Sequence, residues 1–333
     1  MDLNVSVIIC TRNRPGSLQE TLTCLANADR TGVNVEVVVV DNRSEDPMAT
    51  ASVARAFAQT LRVRVLSEPR QHIYGKSHAL NRALDEDALG EIIAVLDDDM
   101  SPHPDWFQGV VALCQRWPNA DLFTGRSYVI WPGGMKPELA RGPELLTWMY
   151  SIIDLGPEDK PLGSGNWFSG NHFWFRSRCL VSGIRFDDIW LTEPKFMLDL
   201  VEMGYTATAG SDAVVGHRVQ ERLLEKGVIR ERALKVGRSN ADVRLRPYRR
   251  TVKHASELHR HPLLGRLFCC AKVVQAGIEW LRAQLYLSST RRFVARVVAL
   301  ERITYHAYLL QTAAHMEEYR VFGRRRDRGL NSV

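Results

Sequence analysis

Along the first part of the chain, apolar residues switch between two spacings. Residues 5–10, VSVIIC, form a continuous β-branched run, as expected of a buried parallel strand. From 15 to 28, PGSLQETLTCLANA sets Leu18, Leu22 and Leu25 on one helical face, with Pro15 near the start. The alternation continues with strand VEVVVVDN (35–42), helix TASVARAFAQT (50–60) and strand RVRVLS (62–67). Helix GKSHALNRALDEDA (75–88) and strand EIIAVL (91–96) complete it. This β-α-β-α-β-α-β order predicts an α/β fold, a mostly parallel sheet with helices on both faces. Ligands of such sheets bind outside the carboxyl ends of the strands. Three of those ends are polar: TRNR at 11–14, DNRSED at 41–46 and DDD at 97–99. They are expected to converge on one crevice.

From 120 to 190 the pattern loosens into Gly-, Pro- and Trp-rich segments such as WPGGMKP and GSGNWFSGNHFWF, read as strands and loops that build a pocket. EPKFMLDLVEMGY (193–205) reads as a helix stopped by Gly204, and AVVGH (213–217) as a strand. Beyond that the chain reads as helix almost throughout. Leu267, Ala271, Val274, Ile278, Leu281 and Leu285 recur at helical spacing, as do Phe293, Val297 and Leu300. The division expected is a catalytic domain over 1–220 and a basic, amphipathic helical region over 221–333.

Charge sharpens that division. Residues 217–333 hold 25 Lys and Arg against 10 Asp and Glu, a balance of +15, while the rest holds 19 against 28, or −9. An acidic front and a basic back imply different tasks, and the back suits an anionic membrane, a phosphorylated ligand or nucleic acid. The N-terminal MDLNVSVIIC lacks the basic and apolar regions of a signal peptide, and no long uncharged apolar stretch predicts a spanning helix. The six cysteines show no C-x-x-C spacing and sit mostly in apolar runs, as small hydrophobes of a reduced, cytoplasmic protein.

The sharpest chemical signal is VLDDDMSP at 95–102. Three adjacent carboxylates repel one another unless something positive lies among them. Such a cluster at the end of a buried strand suits a hard divalent cation, Mn²⁺ or Mg²⁺, which takes oxygen ligands. Asp97 and Asp99 are two apart and point the same way in extended backbone, while Asp98 points elsewhere. A capping turn would explain one aspartate better than three. His217 ends a later strand and is a candidate third ligand. Asp41 ends the second strand, where a carboxylate can meet a base or ribose, or simply close an Asx-turn with Asn42 and Ser44. No G-x-G-x-x-G or P-loop sequence occurs; GKSH at 75–78 lacks the preceding glycine.

SVIICTRNRPGSLQETLTCL, VVVVDNRSED, GKSHALNRAL and IIAVLDDDMSPHPDW resemble, in order, the motifs of family 2 glycosyltransferases with the Rossmann-like GT-A fold. The resemblance covers about residues 4–240. It implies transfer of a sugar from a nucleotide-sugar, mostly a UDP-sugar in this family, to an acceptor hydroxyl, with inversion at the anomeric centre. It assigns Thr11 and Arg12 to the nucleotide pocket, Asp41 to the base, and Gly75 and Asn81 to the uridine–ribose site. Asp97 and Asp99 would hold metal and sugar, with Asp98 on the donor side, and His217 would be a further ligand. Gly170 and Asn171 resemble the segment bordering the acceptor and donor sugar, and Arg218 and Arg222 would neutralise the diphosphate. The family's Glu-Asp pair before a helix is replaced here by LTEPKF. Counting back eleven residues from Gly204 puts Glu193 at the place of the general base. Lipid-linked or polysaccharide acceptors are implied, and with them contact of the C-terminal helices with the inner membrane face or with a second copy of the chain.

Two other classes share parts of this pattern. A metal-dependent sugar nucleotidyltransferase also uses aspartates at strand ends, but it does not carry the four motifs. A nucleic-acid-binding protein would explain the pI of about 9.1. Here the basic residues interleave with aliphatic helix faces and lack aromatic platforms, so no nucleic acid is expected.

Overall fold

The computed structural model describes residues 2–70, 75–140, 149–154, 156–163, 170–245 and 262–327. The chain divides into two compact units, Met1–Leu223 and Leu224–Val333.

The first unit is built on one sheet. Its first strands are β1 (Leu3–Thr11), β2 (Val33–Asp41), β3 (Arg62–Ser67) and β4 (Ile92–Asp97). Between them run helices α1 (Pro15–Asn27), α2 (Pro47–Ala56) and α3 (Ser77–Leu84). All seven elements follow the sequence alternation. The apolar runs are buried because both sheet faces are covered: Val7, Ile8 and Ile9 of β1 and Val37–Val40 of β2 are inaccessible. Leu18, Leu22 and Leu25 of α1 join the same core.

β1 pairs in parallel with β2 and β4, and β2 with β3. The register sets Thr11 opposite Asp41 and Cys10 opposite Asp97, so the three polar strand ends finish side by side. Turn side chains then join them. Asn13 receives the Glu45 backbone N–H at 2.7 Å and donates its own N–H to Ser44 Oγ at 2.9 Å. The expected convergence of these loops is met.

The sheet continues through β5 (Met100–Pro102), β6 (Leu122–Ile130), β7 (Lys160–Leu162), β8 (His172–Arg176) and β9 (Ala207–Arg218). Its order is β3-β2-β1-β4-β8-β6-β9-β5, with β7 also on β9. β8 runs antiparallel to both β4 and β6, and β5 and β7 run antiparallel to β9. β6 and β9 pair in parallel, so the mostly parallel sheet expected from the sequence is all parallel through β3-β2-β1-β4 and mixed beyond. Past residue 120 the connections no longer alternate one strand with one helix, so antiparallel neighbours enter the sheet. Helix α4 (Trp106–Arg116), which buries Trp106, Phe107, Val110 and Leu113, was not among the elements predicted. Helix α5 (Thr192–Glu202) was. Residues 164–169 of the aromatic pocket segment lie outside the described residues.

The second unit holds α6 (Lys226–Leu245), α7 (Pro262–Arg282) and α8 (Ser289–Asp327). α8 packs on both of the others. Ala241, Cys269 and Leu309 form its small buried core, and Tyr308 donates to Asp242 at 2.9 Å. Among the described residues no helix is long and apolar enough to cross a membrane. All six cysteines are free thiols.

Candidate active site

The aspartate triplet meets two cationic side chains and an imidazole, none of which neighbours it in sequence. Asp97, the last residue of β4, pairs with Lys76 just before α3. Asp98 and Asp99 share Arg14, whose two terminal nitrogens lie 2.6 Å from Asp98 Oδ1 and 2.7 Å from Asp99 Oδ2. His217 Nε2 is 3.7 Å from Asp99 Oδ2, delivered by the antiparallel pairing of β5 with β9. Burial pushes the Asp98 carboxyl up to about 6 despite the pull of Arg14. Burial acts the same way on Asp99, but His217 and Arg14 outweigh it and hold that carboxyl well below the usual range.

Glu193 stands in the first turn of α5, where the helix dipole favours an acid. It is buried, and its Oε1 lies 2.7 Å from Lys76 Nζ, so one ammonium joins Glu193 to Asp97. Burial lifts the Glu193 pKa, against the lowering by Lys76. Burial also opposes the charge on Lys76, yet Asp97 and Glu193 dominate and keep it protonated far into the alkaline range. Gly170 packs on this carboxyl. A Cβ there would sit 3.0 Å from Glu193 Oε2, so any larger residue would press the carboxyl aside by a few tenths of an ångström. The neighbouring Asn171 offers its carbonyl to the Asp97 N–H at 3.2 Å.

The expected ligand trio of Asp97, Asp99 and His217 is not assembled. Asp97 faces Lys76 while Asp99 faces Arg14 and His217, and among the described residues no group of three or more metal-binding side chains gathers. A smaller donor set does fit a divalent cation. Asp99 Oδ1 is buried with no hydrogen-bond partner. His217 Nδ1 bonds the Tyr150 carbonyl at 2.7 Å, which turns Nε2 toward Asp99. A metal-ligating histidine is oriented in this way by its other nitrogen. Asp99 and His217 could therefore supply two ligands, with the rest left to phosphate oxygens and water.

Residues 6–175 match the family described as Glycosyl transferase family 2. The chain belongs to this family. Its relatives include the glycosyltransferase AglE of Haloferax volcanii, 33% identical over 131 residues, which is 39% of this chain and 41% of AglE. The chain thus spans less than half the length of that relative. Among solved structures, the fold resembles a mannosyltransferase of Pyrobaculum calidifontis in complex with GDP-Man and Mn²⁺. The TM-score is 0.58 at 24% identity, covering 95% of this chain and 87% of that one. It also resembles S. aureus TarS in complex with UDP-GlcNAc, at a TM-score of 0.50 and 17% identity, covering 96% and 92% of the two chains. The fold is the GT-A fold of these enzymes.

Several residues sit differently from the roles the resemblance implied for them. Arg218, assigned to the diphosphate, is turned under the site instead. Its terminal nitrogens donate to the carbonyls of Met100, Ser17 and Asp98 and to Ser101 Oγ and Thr21 Oγ1, and its Nε pairs with Glu20 at 2.8 Å. Every donor is taken, so it ties α1 to β5 and has none left for a phosphate. Arg222 is exposed and donates to Gln220 at 2.8 Å. The Thr11 hydroxyl turns inward to Asp98 Oδ2 at 2.7 Å, so Thr11 and Asp98 brace the site from below. Arg12 is exposed beside them. Asp41 accepts from the Ser44 N–H at 2.9 Å and from Thr50 Oγ1 at 2.7 Å, realising the turn-forming alternative. Asn81 is bonded twice to the Phe186 backbone, at 2.8 and 2.9 Å, and so fixes that loop. Gly75 takes a positive φ of 52° and accepts from Asn42 at 3.2 Å, next to Lys76. Lys76 and Arg14 were missed. The signal for them was the crowding of the triplet, which required nearby cations that spacing alone could not name.

Proposed function

We propose that this glycosyltransferase inverts the anomeric centre while moving a sugar from a nucleotide-sugar, a UDP-sugar before a GDP- or dTDP-sugar, to an acceptor hydroxyl. The observation that carries the reading is the buried Glu193 carboxylate, held by Lys76 beside Asp97 at the carboxyl ends of the strands. A base works best with a pKa near the operating pH, and burial moves Glu193 in that direction. Glu193 takes the proton of the acceptor hydroxyl, whose oxygen attacks the anomeric carbon from the face opposite the diphosphate. Lys76 keeps the carboxylate ionised and fixes its direction. Gly170 keeps the approach to it open.

Asp99 and His217 would hold Mn²⁺ or Mg²⁺, which when bound would neutralise the diphosphate leaving group. Arg14 fixes Asp99 in place for that task. The acceptor proposed is lipid-linked or a polysaccharide, met in the cytoplasm or at the inner face of a membrane.

The test is a panel of UDP-, GDP- and dTDP-sugars, scored for thermal stabilisation and for release of free nucleoside diphosphate with Mn²⁺. Stabilisation and diphosphate release with one nucleotide class support the reading. Release of a nucleoside monophosphate would point to nucleotidyl transfer instead, and indifference to every donor would overturn both.

A further inference from the structure

The outward face of α7 is apolar where a water-exposed helix should be polar. Leu267, Val274, Ile278 and Leu281 follow one another at spacings of seven, four and three, which keeps them on one side of the helix over about 21 Å. All are exposed, Leu281 by 61%, and the row continues into Leu285 at 82% and Leu287 at 99%. The opposite side, Cys269, Ala276 and Ala283, is the buried one. α7 therefore packs with its small residues and turns its large ones outward. A contiguous apolar strip of this kind marks an interaction surface.

The charge beside the strip selects the partner. Between residues 266 and 296 lie Arg266, Lys272, Arg282, Arg291, Arg292 and Arg296, against the single acid Glu279. Glu279 is already paired with Arg302 at 2.7 Å. Two copies joined through this face would bring two such basic rims together, whereas an anionic lipid surface complements them. Tyr286, 48% exposed at the end of the strip, has the polar-tipped ring suited to a headgroup boundary.

We propose that the face of α7 from Leu267 to Leu287 docks on an anionic membrane surface, lying in the headgroup plane with its leucines inserted and its arginines on the phosphates. The inference stands apart from the donor-site reading, because no residue of that site takes part.

Co-sedimentation of the full chain with vesicles of phosphatidylcholine, with and without phosphatidylglycerol, tests it. The wild-type chain should pellet with the anionic vesicles at low salt, remain in the supernatant with phosphatidylcholine alone, and be released by high salt. Val274→Asp with Leu281→Asp should lower the bound fraction by about tenfold with the melting temperature unchanged, because both residues are exposed. Should that pair unfold, Leu285→Asp carries the same expectation. The proposal is overturned if the wild type ignores anionic vesicles, or if folded variants bind as well as it does. It is equally overturned if sedimentation velocity finds a dimer that Val274→Asp with Leu281→Asp dissolves while vesicles bind nothing; the strip then belongs to a second copy.

Discussion

Lys76 Nζ lies 2.7 Å from Glu193 Oε1 and pairs on its other side with Asp97, so one ammonium links the candidate base to the aspartate triplet. Lys76 lowers the pKa of Glu193, which burial raises. Lys76→Met removes the main lowering influence, so burial and Asp97 raise the carboxyl further. Because the base must be ionised, the acid limb of kcat/KM is expected to move to higher pH, with a loss of rate at neutral pH. A pH–rate profile of the two proteins measures this, and an unmoved acid limb would separate Lys76 from the base.

Removing a general base costs on the order of 10²–10⁴ in rate. Glu193→Gln keeps the size of the side chain and is expected to bind donor normally while transferring sugar slower by that factor. Donor affinity by calorimetry and single-turnover transfer separate the two effects. Wild-type turnover would move the base elsewhere. Asp187, 3.5 Å from Lys195, and Asp188, which accepts from Ser77 at 3.2 Å, are then the next acids to test.

Asp99→Asn and His217→Ala each remove one proposed metal ligand. Each is expected to weaken donor binding in the presence of Mn²⁺ and to leave the smaller metal-free binding unchanged. Titration of donor with and without EDTA reads the difference directly. Equal affinity in both conditions for the wild type would sink the metal role.

Arg218 supplies the contrasting case. Arg218→Ala strands several acceptors beneath the site, and each unsatisfied buried group costs about 1–3 kcal/mol. The variant should melt several degrees lower than the wild type. Where it remains folded, its KM for the donor should be unchanged. A large rise in donor KM without loss of stability would return Arg218 to the diphosphate.

His172 sets a pH dependence of stability. It is fully buried on β8 and accepts the Trp106 indole N–H at Nε2 over 2.8 Å. Burial holds its pKa down to about 3, from an ordinary value of 6.5. Between those values the unfolded chain binds a proton that the folded chain does not. Stability from this group is therefore complete above about pH 6.5 and falls as the pH drops, by roughly 1.4 kcal/mol per unit. His172→Gln keeps an acceptor for Trp106 and should flatten that slope. Urea melts at pH 5, 6 and 7 compare the two proteins, and parallel slopes would refute the assignment.

The sequence by itself determined the elements up to β4 and the rim of the site. Alternation of β-branched runs with three- and four-residue spacing is a local property, so β1 to β4 and α1 to α3 were legible within a few residues. Strand ends follow directly, which is why TRNR, DNRSED and DDD were expected together and meet. Glu193 was singled out by the family resemblance, through its count of eleven residues back from Gly204, and the structure places it in the first turn of α5. What only the tertiary structure decided is which charge meets which. Arg14 and Asp99 lie 85 residues apart, and Arg218 and Thr21 are separated by 197. Their contacts depend on strand order, on β8 inserting antiparallel beside β4, and on β5 pairing with β9. Electrostatic pairing depends on distance in space and not along the chain. The crowded carboxylates therefore announced that cations must be near, and His217 was already a candidate beside them, but the fold alone selected Lys76 and Arg14 while turning the Arg218 side chain beneath the site.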